Sequence, residues 1–188
     1  MENFNIKNLV KGEPYFDHKN SVLSAPVRHL FMIGVIWYLA TQKKISDVSI
    51  MEIGTWFGAS ALSWAQGLKE YLDSRGSITC IDAWEPFFDL DVHKNQKHVL
   101  EMEKLLESDL VYKVFLHNIN TLPETINTQH FRGKSENILK FLKSDSFSVV
   151  FIDADHTYNY VKDDILNSMR LVQNLSLIHI SEPTRQKP

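Results

Sequence analysis

VSIMEIGTWFGAS, residues 48–60, is the stretch on which the fold turns. Val48 to Gly54 is a short apolar run closed by a glycine, the pattern of a buried strand. Beyond it the period changes. Leu62, Ala65, Leu68 and Leu72 recur at helical spacing, and Arg75-Gly76 ends the segment. The order is therefore strand, tight turn, helix. Gly54 and Gly58 stand four apart at the junction, where the lack of a Cβ permits a sharp turn and close approach of a ligand to the backbone.

The same alternation continues downstream. SITCID (77–82) predicts a second strand, and residues 95–107 a helix bearing Val99, Met102, Leu105 and Leu106 on one face. VYKVFL (111–116) fits either a continued helix or a short strand. Gln129 to Arg132 reads as a short strand ended by Gly133, with Ser135 placed to cap a helix carrying Ile138, Leu139 and Leu142. FSVVFID (147–153) is the clearest strand, and Val161, Ile165, Met169 and Val172 define an amphipathic helix after it. Upstream, Pro26 suits the first turn of a helix. Its apolar centre, Leu30 to Ala40, has eleven residues, against about 20 for a bilayer crossing. A buried core helix is expected, with Phe31, Trp37 and Tyr38 packed inward.

Strands alternating with helices predict an α/β fold: an open, doubly wound, Rossmann-like, mostly parallel sheet with helices on both faces. Ligands of such sheets bind outside the carboxyl ends of the strands. That rule selects Glu52 to Gly58, Asp82 to Glu85, Gly133 to Ser135 and Asp153 to His156 as the candidate site.

The 188 residues, 44% of them hydrophobic, suffice for one core. Residues 1–25 are read as an N-terminal extension and 26–174 as the folded domain. Lys plus Arg number 20 against 23 Asp plus Glu, a net charge of −3 without long like-charge blocks, which disfavours nucleic acid as a partner. The single cysteine, Cys80, cannot form an internal disulfide. Residues 1–20 lack the basic start and apolar stretch of a secretory signal. A cytoplasmic protein without membrane association is expected, acting on a small molecule.

Asp82 ends the second predicted strand, where a carboxylate can accept charge-assisted bonds from two ribose hydroxyls. It is expected to serve the ligand more than the fold. It follows Gly54 by 28 residues, and Trp56 stands where a dinucleotide loop has its middle glycine, whereas that fingerprint places its acid about 20 residues on. The departure favours a nucleoside without a pyrophosphate. In IDADH (152–156), Asp153 ends a strand and can contact a substrate, a cofactor amino group or a divalent cation, while the His156 imidazole can take a proton near neutral pH. In a purely structural reading, Asp155 or Thr157 caps the next helix and His156 packs against Tyr158 or Tyr160. Phe87 and Phe88 either cover a ligand or seat the loop after Asp82. The remaining histidines show no metal-ligand spacing.

EIGTWFGAS, ITCIDAW and VVFIDADHTYNYVKDDI, in this order and spacing, resemble the class I S-adenosylmethionine-dependent methyltransferases, in the small O-methyltransferase-like branch with an I-D-A-D-H-x-Y segment. The similarity spans about residues 48–172. It implies that Glu52, Gly54 and Gly58 surround the methionine part of S-adenosylmethionine, with Thr55, Trp56 and Ser60 of the same turn among the cofactor-binding residues. It implies Asp82 at the ribose, Ala83 and Trp84 on the adenine side, and Gly133, Lys134 and Ser135 at the adenine-contacting turn, although relatives commonly carry an acid where Lys134 stands. It implies for Asp153 a divalent cation such as Mg²⁺, held with an acid and an amide further downstream; the chemistry of the residues themselves makes Asp153 a candidate cofactor-binding and catalytic residue and His156 the candidate base. The implied reaction is methyl transfer to a hydroxyl of a small molecule or sugar. Its alternatives are a nicotinamide-dependent oxidoreductase and a catalytically silent nucleoside-binding fragment. SLIHISEPTR (176–185) resembles a translated sequencing adapter. Residues 175–188 are accordingly expected to be a non-native tail on a truncated domain, although LSLIHI (175–180) has the pattern of a fifth strand.

Overall fold

A computed structural model of the chain describes residues 9–15, 26–88, 95–154 and 157–180, except the side chains of 174–180. The elements are α1 (Pro26–Thr41), β1 (Val48–Ile53), α2 (Ala59–Leu72), β2 (Gly76–Asp82), α3 (Lys97–Glu107) and α4 (Leu110–Ile119). They continue with β3 (Asn127–Arg132), α5 (Ser135–Ile138) running into a 3₁₀ turn (Leu139–Phe141), β4 (Phe147–Ile152), α6 (Tyr158–Met169) and β5 (Val172–Ile180).

The five strands form one all-parallel sheet in the order β3-β2-β1-β4-β5. From β1 the chain steps outward through β2 to β3, then returns to pair β4 on the other side of β1. The switch point falls between β1 and β4. The two-residue period of a strand sorts their side chains into two cores. Val48 and Ile50 of β1 join Val149 and Phe151 of β4 under α1, α2 and α4, with Trp64, Leu68 and Phe115. Met51 and Ile53 join Val150 and Ile152 on the opposite face, with Leu139 and Leu171. Burial on both faces is the expected condition of a parallel sheet.

Local expectations fare unevenly. VYKVFL lies within helix α4, and the strand expected at Gln129 begins at Asn127. β3 is polar and largely exposed, an edge among the described strands. Val172 starts β5 instead of continuing α6, and the α6 residues that are buried are Asp164 and Ser168. α1 buries Met32, Val35, Ile36 and Leu39, but Phe31, Trp37 and Tyr38, expected inside, are 43–45% exposed. LSLIHI lies in β5, paired in parallel with β4. Among the described residues, no helix is long and apolar enough to cross a membrane.

Candidate functional site

The switch point brings the ends of β1, β2 and β4 together. Gly54 donates its N–H to the Ile81 carbonyl, and the Asp153 N–H donates to the Ile53 carbonyl, each at 2.8 Å. Gly54 has φ +83°, and a Cβ on it would lie 2.4 Å from the Asp153 carbonyl oxygen. Only glycine fits between these strand ends.

The loop after Gly54 is folded over Asp82. Oδ2 of Asp82 accepts the backbone N–H groups of Thr55 and Trp56 at 2.8 and 2.9 Å, and Oδ1 accepts that of Trp84 at 2.8 Å. Burial pushes the Asp82 carboxyl above its ordinary range, while hydrogen bonds from Trp56, Trp84, Thr55 and Ala83 pull the other way. A carboxylate has about four lone-pair positions, so this one is largely engaged by the protein. Asp82 therefore orders the loop, a role in the fold that the sequence reading did not foresee. Trp56 and Trp84 both adopt left-handed backbone, φ +51° and +46°. The Trp84 indole N–H donates to the Trp56 carbonyl at 2.8 Å, and its ring packs on Phe115 and Tyr112 in the core. With 1% exposure the Trp84 ring supports the loop from below.

Glu52 is fully buried beneath this loop. Ser60 at the start of α2 donates its hydroxyl to Oε1, and Oε2 has no hydrogen-bond partner. Burial pushes its carboxyl up to about 8; the Ser60 bond opposes this, Asp153 and Asp82 add to it, and Arg28 relieves part of it. Gly58 caps α2 with φ +87°, and its Cβ would face the Phe115 ring at 3.2 Å. The left-handed backbone favours glycine here, and a Cβ would press on the Phe115 ring.

Asp153 forms an ion pair with Arg28 of α1, Nη2 to Oδ2 2.6 Å. Arg28 also lies over the Phe151 ring, 5.7 Å from its centroid. The sequence reading missed this residue, although the signal was present. A helix that leads into the start of β1 must itself begin at the opposite, carboxyl edge of the sheet, so the first turn after Pro26 lies beside the site. The Mg²⁺ expected at Asp153 is not supported: its carboxylate is neutralised by a guanidinium, and no group of three His, Cys, Asp or Glu able to hold a metal occurs among the described residues. His156 and Asp155 lie outside the described residues.

The third segment is joined more loosely. The Gly133 N–H donates to the Asp82 carbonyl at 2.9 Å, which sets the end of β3 beside that of β2. Lys134 is exposed. Ser135 hydrogen-bonds the buried Asp164 carboxylate and so ties α5 to α6. Beyond Trp84, the buried Glu103 accepts the N–H groups of Phe87 and Phe88. Those two residues belong to a seated loop. The site as described gathers Glu52, residues 54–60, 82–84, Gly133, Asp153 and Arg28.

Residues 51–182 match the family described as Methyltransferase domain. No curated protein matches the chain in sequence. Among solved structures it is similar to the O-methyltransferase NovP, with a TM-score of 0.60 and 16% identity over 85% of this chain and 66% of that one. It is likewise similar to apo CalS11, a TDP-rhamnose 3'-O-methyltransferase of calicheamicin biosynthesis, with a TM-score of 0.51 and 14% identity over 85% of this chain and 64% of that one. The chain thus spans just under two thirds of the length of each.

Proposed function

The chain belongs to this methyltransferase-domain family, and from that membership we propose that it binds S-adenosylmethionine at the β1–β4 switch point and transfers its methyl group to a hydroxyl of a small molecule or sugar. The observation that carries the reading is the loop 54–58, drawn onto Asp82 by two backbone N–H groups, together with the buried, half-satisfied Glu52 carboxyl two residues before Gly54. A buried polar oxygen without a partner is costly. Its position near the carboxyl end of β1 fits a ligand with a polar tail.

When bound, the cofactor supplies an electrophilic methyl group. The chain's own contribution is alignment and proton removal. In this reading Glu52 and Gly54 form the floor for the methionine part, and Thr55, Trp56, Gly58 and Ser60 shape its rim. Asp82 keeps the loop in place and offers its remaining acceptor capacity to the ribose, while Ala83 and Gly133 flank the adenine. Asp153 orients the tail, and His156 takes the acceptor's proton. NovP and CalS11 are O-methyltransferases, and the latter acts on a nucleotide sugar. A hydroxyl acceptor of that general kind is the one proposed here.

Calorimetric titration with S-adenosylhomocysteine and with NAD tests the reading. Binding of the former without the latter is expected. Binding of NAD alone would replace it with a nicotinamide-dependent reading, against which the Trp56 side chain at the middle-glycine position already stands.

A further inference from the structure

We propose that Arg28 and Asp153 together hold the zwitterionic amino-acid end of the cofactor, Asp153 taking the ammonium and Arg28 the carboxylate, so that Arg28 makes the site prefer ligands bearing that end. The inference rests on the methyltransferase reading above and assigns Arg28 a role in it.

α1 and α2 run side by side in the same direction. His29 Nδ1 meets Ser63 Oγ at 2.7 Å near the start of both, and further along a Cβ on Gly67 would lie 2.9 Å from Ile36. Both helices therefore begin at the carboxyl edge of the sheet, and the first turn of α1 delivers Arg28 to Asp153. The two side chains remain 27% and 25% exposed, so the pair is within reach of a ligand.

Three carboxyl groups, Glu52, Asp82 and Asp153, gather here, and Arg28 is the cation whose charge acts on Glu52. A ligand carboxylate entering alone would meet the Asp82 and Asp153 carboxylates, and an ammonium alone would meet Arg28. A zwitterion meets both requirements. It exchanges the internal ion pair for two charge-assisted pairs and leaves neither ion unpaired, the condition that costs most in a partly buried site. The guanidinium suits the task because its planar fork carries five donors. One nitrogen, Nη2, serves Asp153.

The test compares S-adenosylhomocysteine with 5′-methylthioadenosine, which lacks the amino-acid end, on the full chain by calorimetry. For Arg28→Gln, affinity for S-adenosylhomocysteine should fall roughly 10- to 100-fold, the effect of losing a charged hydrogen-bonded partner, while that for 5′-methylthioadenosine stays within about twofold of wild type. Arg28→Lys should recover part of the loss. Equal losses for the two ligands, or no loss for either, would overturn the proposal. If Arg28→Gln does not fold, the wild-type protein is titrated with decarboxylated S-adenosylhomocysteine, and equal affinity for the two forms would overturn it equally. A wild-type chain that binds none of these ligands sinks the methyltransferase reading and this inference together. Wild-type binding with an insensitive Arg28→Gln variant sinks this inference alone.

Discussion

Glu52 and Gly54, two residues apart on β1, are constrained by different physics. Burial pushes the Glu52 carboxyl up to about 8 from its ordinary 4.5. Between those values the folded chain keeps a proton that the unfolded chain has released. The stabilisation from the neutral acid is therefore complete below about pH 4.5 and is lost as pH rises through 8. In that window wild-type stability should fall relative to Glu52→Gln by up to about 1.4 kcal/mol per pH unit. Urea unfolding of the two proteins between pH 5 and 8 measures this, and parallel profiles would contradict the neutral acid. Gly54→Ala meets a backbone clash and a positive φ at once. A loss of about 2–4 kcal/mol is expected from denaturant midpoints, and an unchanged midpoint would refute the turn described. Asp82→Ala removes the acceptor of the loop's N–H groups. It should lower the unfolding free energy by roughly 1–3 kcal/mol and weaken S-adenosylhomocysteine binding as well. A fully stable variant with weakened binding would restore the ligand-only role first expected of Asp82.

Elements were legible wherever local period and burial agreed. Val48–Ile53 and Phe147–Ile152 are mostly apolar and buried along nearly their whole length because both faces are covered, and each was readable from its own residues. β3 was less so, since NTQHFR carries the composition of an exposed edge and is strand only through its pairing with β2. α4 was ambiguous because VYKVFL is apolar at almost every position, and its helical state follows from packing against α2 and the Trp84 ring. At the site, the glycines and the strand-end acids were visible as residue types. The Arg28–Asp153 pair could be approached only through the direction of α1, and the inward turn of Trp84 not at all, because both arise from contacts between segments 125 and 28 residues apart. The α1–α2 seam offers a test at this level. A Cβ at Gly67 would lie 2.9 Å from the fully buried Ile36. Alanine gains about 1 kcal/mol of helix propensity there, but overpacking costs 1–3 kcal/mol. A net loss of stability is expected in thermal unfolding, and a rise in Tm would show the seam to be looser than described.

At the scale of the whole molecule, the order β3-β2-β1-β4-β5 places the loops after β1, β2 and β4 around one opening, and every residue assigned to the cofactor belongs to that edge or to the first turn of α1. The opposite edge of the sheet contributes nothing to the reading. The position of the bound ligand is therefore the decisive property. Hydrogen–deuterium exchange with and without saturating S-adenosylhomocysteine addresses this directly. The predicted result is slowed exchange at residues 52–60, 82–85 and 133–135 and at the start of α1, with NAD producing no such footprint. Unchanged exchange in those segments under saturating S-adenosylhomocysteine, or an equal footprint from NAD, would contradict it.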